Sequence, residues 1–148
     1  MNTLIIEALF EQYVTAFEQQ DIAKTLSCYQ LPCTLHTPDK AVLICDVDDF
    51  EREFSDIFDV LSQAGIKTFN SAKASFSEVN ADLILACIDW QFFSQDGELF
   101  TDFSAFYHIA LVDKQWKIVN VVSQELSQSV ALSTPFDISN NTENKITE

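Results

Sequence analysis

The sequence predicts one α+β domain, with N-terminal helices packed in the concave face of a strongly curved antiparallel sheet. Three observations predict it. The apolar period changes from 3.6 to 2 at residue 66, so helices come early and strands late. Only two Gly and three Pro interrupt 148 residues, which predicts long elements and few breaks. Thirteen Phe in a chain that is 47% hydrophobic predict an aromatic core.

The elements follow in order. Ile6, Leu9, Phe10, Tyr13, Ala16 and Phe17 recur at helical spacing within 4–19 and form one buried stripe. Asp21 is placed to cap a second helix over 22–30, with Ile22, Leu26 and Tyr29 on its buried side and Pro32 as its stop. Short strands are predicted at 33–37 and 41–46, joined by the turn Thr37-Pro38-Asp39-Lys40. A helix then starts at Asp48, with Glu51 completing a capping box and Gly65 as its C′ residue. Four strands read at 67–79, 82–94, 99–112 and 116–123. Asp96-Gly97 is a strong hairpin signal, and the short links between the other strands make the run an antiparallel meander. The domain is placed at 1–126, with 127–148 as a C-terminal extension whose polar end, 139–145, is expected to fray.

Charge and cysteines narrow the function classes. Eight basic residues against 23 acidic ones give a net charge of −15, which disfavours nucleic acid and anionic membranes as partners. No apolar run reaches the roughly 20 residues of a membrane span, and the start at Met1 has no basic region of the secretory kind. Cys28, Cys33, Cys45 and Cys87 form no C-x-x-C pair and no zinc pattern, so they read as reduced core thiols in a cytoplasmic protein without metal or cofactor. The acids from Asp46 to Glu53 lack the glycine of a calcium loop and read as helix capping. Gly-rich phosphate loops, nucleophile elbows and H-E-x-x-H are absent from the sequence.

Strand parity separates Ile84, Ala86, Ile88, Trp90 and Phe92 from Leu83, Leu85, Cys87, Asp89, Gln91 and Phe93. The next long strand separates Asp102, Ser104, Phe106, His108 and Ala110 from Phe103, Ala105, Tyr107, Ile109 and Leu111. Neither strand alternates cleanly, so both faces are expected to be at least partly covered. Helices can cover only one. A second face bearing Leu83, Leu85, Phe103, Tyr107, Ile109 and Leu111 implies a homodimer joined sheet to sheet. Asp89 is then expected to find its partner at that interface or lie at its edge.

The element order resembles the nuclear transport factor 2-like superfamily over roughly residues 3–124. The segment from Gln12 to Asp21, the Asp96-Gly97 turn and Trp116-Lys117-Ile118 at the last strand carry the resemblance. It implies a cone whose sheet wraps the helices and leaves a pocket at its open end. The superfamily holds isomerases, dehydratases, cyclases and binding modules, so it implies no single activity. Against ketosteroid isomerases, Tyr13 falls on the oxyanion-holding tyrosine, His108 on the second oxyanion position and Thr37 on the base. Threonine is no general base near neutral pH, so the isomerase reaction does not carry over.

The resulting expectation is a small-molecule pocket for an apolar or aromatic ligand. Trp90, Phe92, Phe106, Ile88 and Thr37 line it, and Tyr13 and His108 orient the ligand. The alternative is an enzyme of the isomerase, dehydratase or cyclase kind with His108 as acid/base, assisted by Tyr13 or Asp102. A third reading is a dimeric interaction domain with a filled cone. Asp102 is costly to bury alone and belongs near a rim or in a pair. His36 is expected at the surface or an interface.

Overall fold

The computed structural model describes residues 3–138. Helix α1 (Thr3–Gln19) buries Ile6, Leu9, Phe10, Val14, Ala16 and Phe17, the expected stripe plus Val14. Asp21 caps α2 (Ile22–Leu26) by accepting from the Lys24 amide at 3.0 Å. That helix is shorter than expected. Tyr29 opens strand β1 (Tyr29–His36), and Pro32 sits inside the strand, after a cis peptide. Proline has no N–H to give to a ladder, and the register between β1 and its neighbour shifts between Tyr29 and Thr34.

Strand β2 (Ala41–Ile44) pairs with β1, and α3 (Val47–Gln63) follows. The cap of α3 is Asp46, not the expected Asp48. Asp46 Oδ1 accepts from the Asp49 amide at 2.9 Å, and Asp49 Oδ2 accepts from the Cys45 amide at 3.1 Å. Asp49 thus does the work assigned to Glu51. Gly65 closes the helix at φ +68°, a value only glycine adopts freely.

Strands β3 (Ile66–Asn80), β4 (Leu83–Ser94), β5 (Leu99–Val112) and β6 (Gln115–Gln124) match the four predicted strands to within a residue or so at each end. The β5–β6 turn places Asp113 and Lys114 both at positive φ, the geometry of the tightest hairpin turns. The seven-stranded sheet runs β2-β1-β6-β5-β4-β3-β7, where β7 is Thr134–Pro135. It is mixed and not wholly antiparallel, because β1 lies parallel to β6. That pairing closes the cone by joining the chain's first strand to its last long one.

Register decides which side chains enter the cone. Facing residues in an antiparallel pair share a face. Ile84, Ala86, Ile88 and Trp90 stand opposite Ile109, Tyr107, Ala105 and Phe103. Ile84, Ala86, Ile88, Trp90 and Phe92 are all buried in the concave core, as expected. On β5, however, the inward set is Phe103, Ala105, Tyr107 and Ile109. His108, Phe106 and Asp102 face Leu85, Cys87 and Gln91 on the convex side.

Beyond β6 the chain becomes a strap. A 3₁₀ turn (Leu126–Gln128) packs on β5. Ser129 Oγ donates to Asp89 Oδ2 at 2.8 Å, the Leu132 amide donates to Ser75 Oγ at 2.8 Å, and the Ser133 amide to Ser77 Oγ at 3.0 Å. Those acceptors all lie on the convex face. The strap then pairs with the β3 edge and turns inward. Phe136 ends buried at 6% exposure, stacked on Phe10 and edge-on to Phe76. Packing therefore continues past the expected boundary at 126, while residues 139–148, where fraying was expected, lie outside the described residues. Asp89 finds its partner within its own chain. Its other carboxylate oxygen, Oδ1, is buried without one.

Candidate functional site

The helices do not fill the cone. A cavity of about 340 Å³ opens between α1, α3 and the inner faces of β1, β4, β5 and β6. That volume falls in the range of small-molecule sites. Its walls are largely aromatic: Phe17, Phe54, Trp90, Phe92 and Phe103. Leu35, Val42, Ile57, Val60 and Val121 add aliphatic surface, and Thr37, Lys40, Glu53 and Asp56 bring polar groups.

All three tyrosines of the chain, Tyr13, Tyr29 and Tyr107, reach this cavity. Each comes from a different element: α1, the start of β1 and the middle of β5. Trp90 Nε1 donates to Tyr107 Oη at 2.8 Å. The Tyr107 hydroxyl bonds that of Tyr13, and Tyr13 bonds that of Tyr29. An indole N–H can only donate, and the effects of the phenols on one another give the direction of the rest. Tyr107 accepts from Trp90 and donates to Tyr13, and Tyr13 donates to Tyr29. The Tyr29 proton has no acceptor among the described residues.

Burial sets the charge state of this series. It is the main cause that raises all three phenols well above their ordinary value, and the neighbouring phenol raises each further. The tyrosines are therefore neutral donors across the physiological range. Burial likewise pushes the Cys28 thiol up to about 12 and the Cys33 thiol to about 11. Those two, with Cys87, are buried free thiols, and Cys45 is exposed.

The rim carries charge. Lys40 Nζ, from the β1–β2 turn, lies 3.6 Å from Glu53 Oε2 on α3 and bridges the mouth. An open groove of about 380 Å³ adjoins the cavity and shares Thr37, Phe103 and Ser123 with it. Asp102 and Glu125 line that groove.

Sequence reasoning placed part of this site. Tyr13, Trp90, Phe92 and Thr37 line the cavity as expected. Ile88 is on the inner face but fully buried in the packed core, away from the cavity. His108 and Phe106 are half-buried on the convex face and cannot touch a ligand in the cone. His108 stands opposite Leu85 on one side and Asn120 on the other. Asp102 is exposed at the groove, the rim position its charge required. His36 is half-buried and touches the cavity edge. Tyr29 and Tyr107 were missed as site residues. The scarcity of tyrosine in an aromatic-rich chain was the available signal. Among the described residues, no three His, Cys, Asp or Glu side chains gather to hold a metal ion. No described helix is long and apolar enough to cross a membrane.

Comparison with known proteins agrees on the fold. The family described as "NTF2-like protein (DUF6841)" matches residues 3–126. An NTF2-like protein with a cystatin-like fold from Novosphingobium aromaticivorans superposes with a TM-score of 0.71 at 12% identity, covering 86% of this chain and 84% of that one. A domain of unknown function from Nostoc punctiforme gives 0.69 at 14% identity, with 84% and 79% covered. A ketosteroid isomerase-like protein from Erwinia carotovora atroseptica gives 0.61 at 14% identity, with 87% and 96% covered. No curated protein matches the chain.

Proposed function

Because the chain belongs to the NTF2-like family DUF6841, whose cone here encloses a tyrosine-lined cavity, we propose that it binds a small apolar or aromatic molecule carrying a hydrogen-bond-accepting oxygen. What carries this reading is the Tyr29 hydroxyl, which ends the tyrosine series beside the cavity and donates to no acceptor among the described residues. A carbonyl or ether oxygen there completes the series that starts at Trp90. A hydrogen bond made there contributes about 0.5–1.5 kcal/mol net, which favours ligands able to accept. The aromatic walls supply affinity through burial, and the Tyr29 donor supplies orientation.

His108 has no part in this reading, since it stands on the other side of the sheet. The reading keeps the cytoplasm as compartment, in keeping with the buried free thiols Cys28, Cys33 and Cys87. It also keeps a two-fold pair. Leu85, 40% exposed, remains on the convex face opposite His108 and near Leu83 and Ala110, as a surface a second copy would cover. Sedimentation at micromolar concentration gives a dimer on that view, and a monomer removes it.

The test of the pocket uses 1-tetralone, a bicyclic aryl ketone small enough for the cavity. Calorimetric titration of the wild type and Tyr29→Phe is expected to show binding weakened about tenfold in the variant, the size of one buried hydrogen bond. Absence of binding to the wild type, or equal binding by both, sinks the proposal.

A further inference from the structure

Ser75, Asp89 and Ser104 are buried close together on the convex face of the long strands, although all three are polar. The strap's hydrogen bonds land among them, from Ser129 to Asp89 and from the Leu132 amide to Ser75. Asp89 is poorly served there. One neutral hydroxyl donates to Oδ2, and Oδ1 accepts from nothing among the described residues. Ser104, its partner on β5, bonds Cys87 Sγ instead, at 3.4 Å. Lys73, its partner on β3, is exposed and forms no ion pair with it. Burying a carboxylate without a matching charge is costly, and lifting the strap returns this one to water. Asp89 therefore opposes docking of the strap, while burial of Phe136 favours it. The far end of the strap reaches the tyrosine series. Phe136 stacks on Phe10 at 6.0 Å, and Phe10 meets Tyr107 edge-on at 4.9 Å and Tyr13 at 5.8 Å. Those two phenols stand between Trp90 and Tyr29 in the series.

We infer that the strap is a releasable clamp on the pocket. Docked, it holds Phe10 against Tyr13 and Tyr107 and so keeps the Tyr29 hydroxyl placed for a ligand. Released, it vacates the space beside Phe10. That ring then shifts toward the gap, because a void in a close-packed interior forfeits contact on one side. Both phenols lose an edge contact, and the series slackens. A ligand on Tyr29 binds the docked form more tightly, and by linkage it favours docking by the same factor. Asp89 keeps the balance adjustable, since a fully paired latch would lock the strap down. The inference rests on the pocket reading for its ligand and adds how that pocket is regulated.

Amide hydrogen exchange, followed residue by residue by NMR, tests this in the full chain. The reporters are the amides of Leu132, Ser133 and Phe136, which the docked strap bonds to Ser75 Oγ, Ser77 Oγ and the Ala74 carbonyl. They are expected to exchange faster than the amides of β4 and β5, through opening of the strap alone. Saturating 1-tetralone is expected to slow them by about fivefold or more, the low end of couplings between sites. Asp89→Asn keeps an acceptor for Ser129 without the charge, and without ligand it should slow them by about fivefold. Ser129→Ala leaves the carboxylate no donor and should quicken them. Exchange of the three amides only at the rate of the slowest β4 and β5 amides overturns the inference. So does the failure of either variant to shift exchange in its stated direction. If 1-tetralone binds in a Tyr29-dependent way yet leaves strap exchange unchanged, the clamp falls and the pocket reading stands. If it does not bind the wild type, both fall together.

Discussion

Trp90 and Tyr107 lie on neighbouring strands four residue pairs apart, and the indole N–H donates to the phenol oxygen across 2.8 Å inside the core. Both residues are at most 2% exposed. The donor-only indole takes one lone pair of the Tyr107 oxygen and leaves its proton for Tyr13.

That bond can be weighed directly. Tyr107→Phe removes the acceptor and leaves the Trp90 N–H buried without a partner, so stability in urea is expected to fall by about 1–3 kcal/mol. The double variant Trp90→Phe/Tyr107→Phe is expected to be less destabilised than the sum of the singles, by about 1 kcal/mol, as bonded neighbours are. Strict additivity would falsify the coupling.

Thiol chemistry reports the burial pattern. Of the four cysteines, only Cys45 is exposed. Titration with a disulfide reagent at pH 8 should release one equivalent promptly from the folded protein and four after denaturation. Rapid release of two or more from the folded state contradicts the packing around Cys28 and Cys33, whose thiols burial holds at about 12 and about 11.

Alkaline pH should unfold the domain through the same buried groups. In the unfolded chain the thiols ionise near 9.0 and the phenols near 10.0. In the folded chain Cys28, Cys33 and the three tyrosines hold their protons to higher pH. The folded state then binds more protons than the unfolded one, so their contribution is complete below about pH 9 and is lost as pH rises above it. Chemical denaturation from pH 7 to pH 11 should show a midpoint that drops beyond pH 9. A midpoint that rises there would be inconsistent with burial of these groups.

The strap is expected to be part of the domain's stability. Phe136→Ala vacates a position stacked on Phe10 at 6.0 Å and should cost about 3–5 kcal/mol. A thermal or urea midpoint unchanged by Phe136→Ala would mean that the domain ends near residue 126 after all.

Much of the fold was readable because tight turns separate the four long strands and the helices carry clear stripes. The face of β5 was not. Its two parities are both apolar, with Phe106, His108 and Ala110 against Phe103, Tyr107 and Ile109. Part of the convex side is buried too, as Cys87 at 2% and Asp89 at 7% show beneath the strap. Polarity therefore could not tell inside from outside. The pairing register decides it, and that register contains a shift between Phe92 and Phe93 that periodicity cannot reveal. A one-residue difference exchanged His108 for Tyr107 in the site. Tyr29 was lost for another reason. Pro32 was read as a helix stop, which drew Tyr29 into the preceding helix, whereas the proline is held inside a strand.

The parallel contact of β1 with β6, together with the buried Phe136, has a consequence for how the protein is made. Residues 34–36 wait for partners at 120–122, and Phe10 waits for Phe136. Synthesis runs from the N-terminus at about 5–20 residues per second, so the cone stays unsealed, with its aromatic lining in water, until residues 120–122 have emerged. The nascent protein passes several seconds as an open, sticky sheet, and a ribosome stalled short of residue 120 holds a molecule whose first strand lacks its parallel partner.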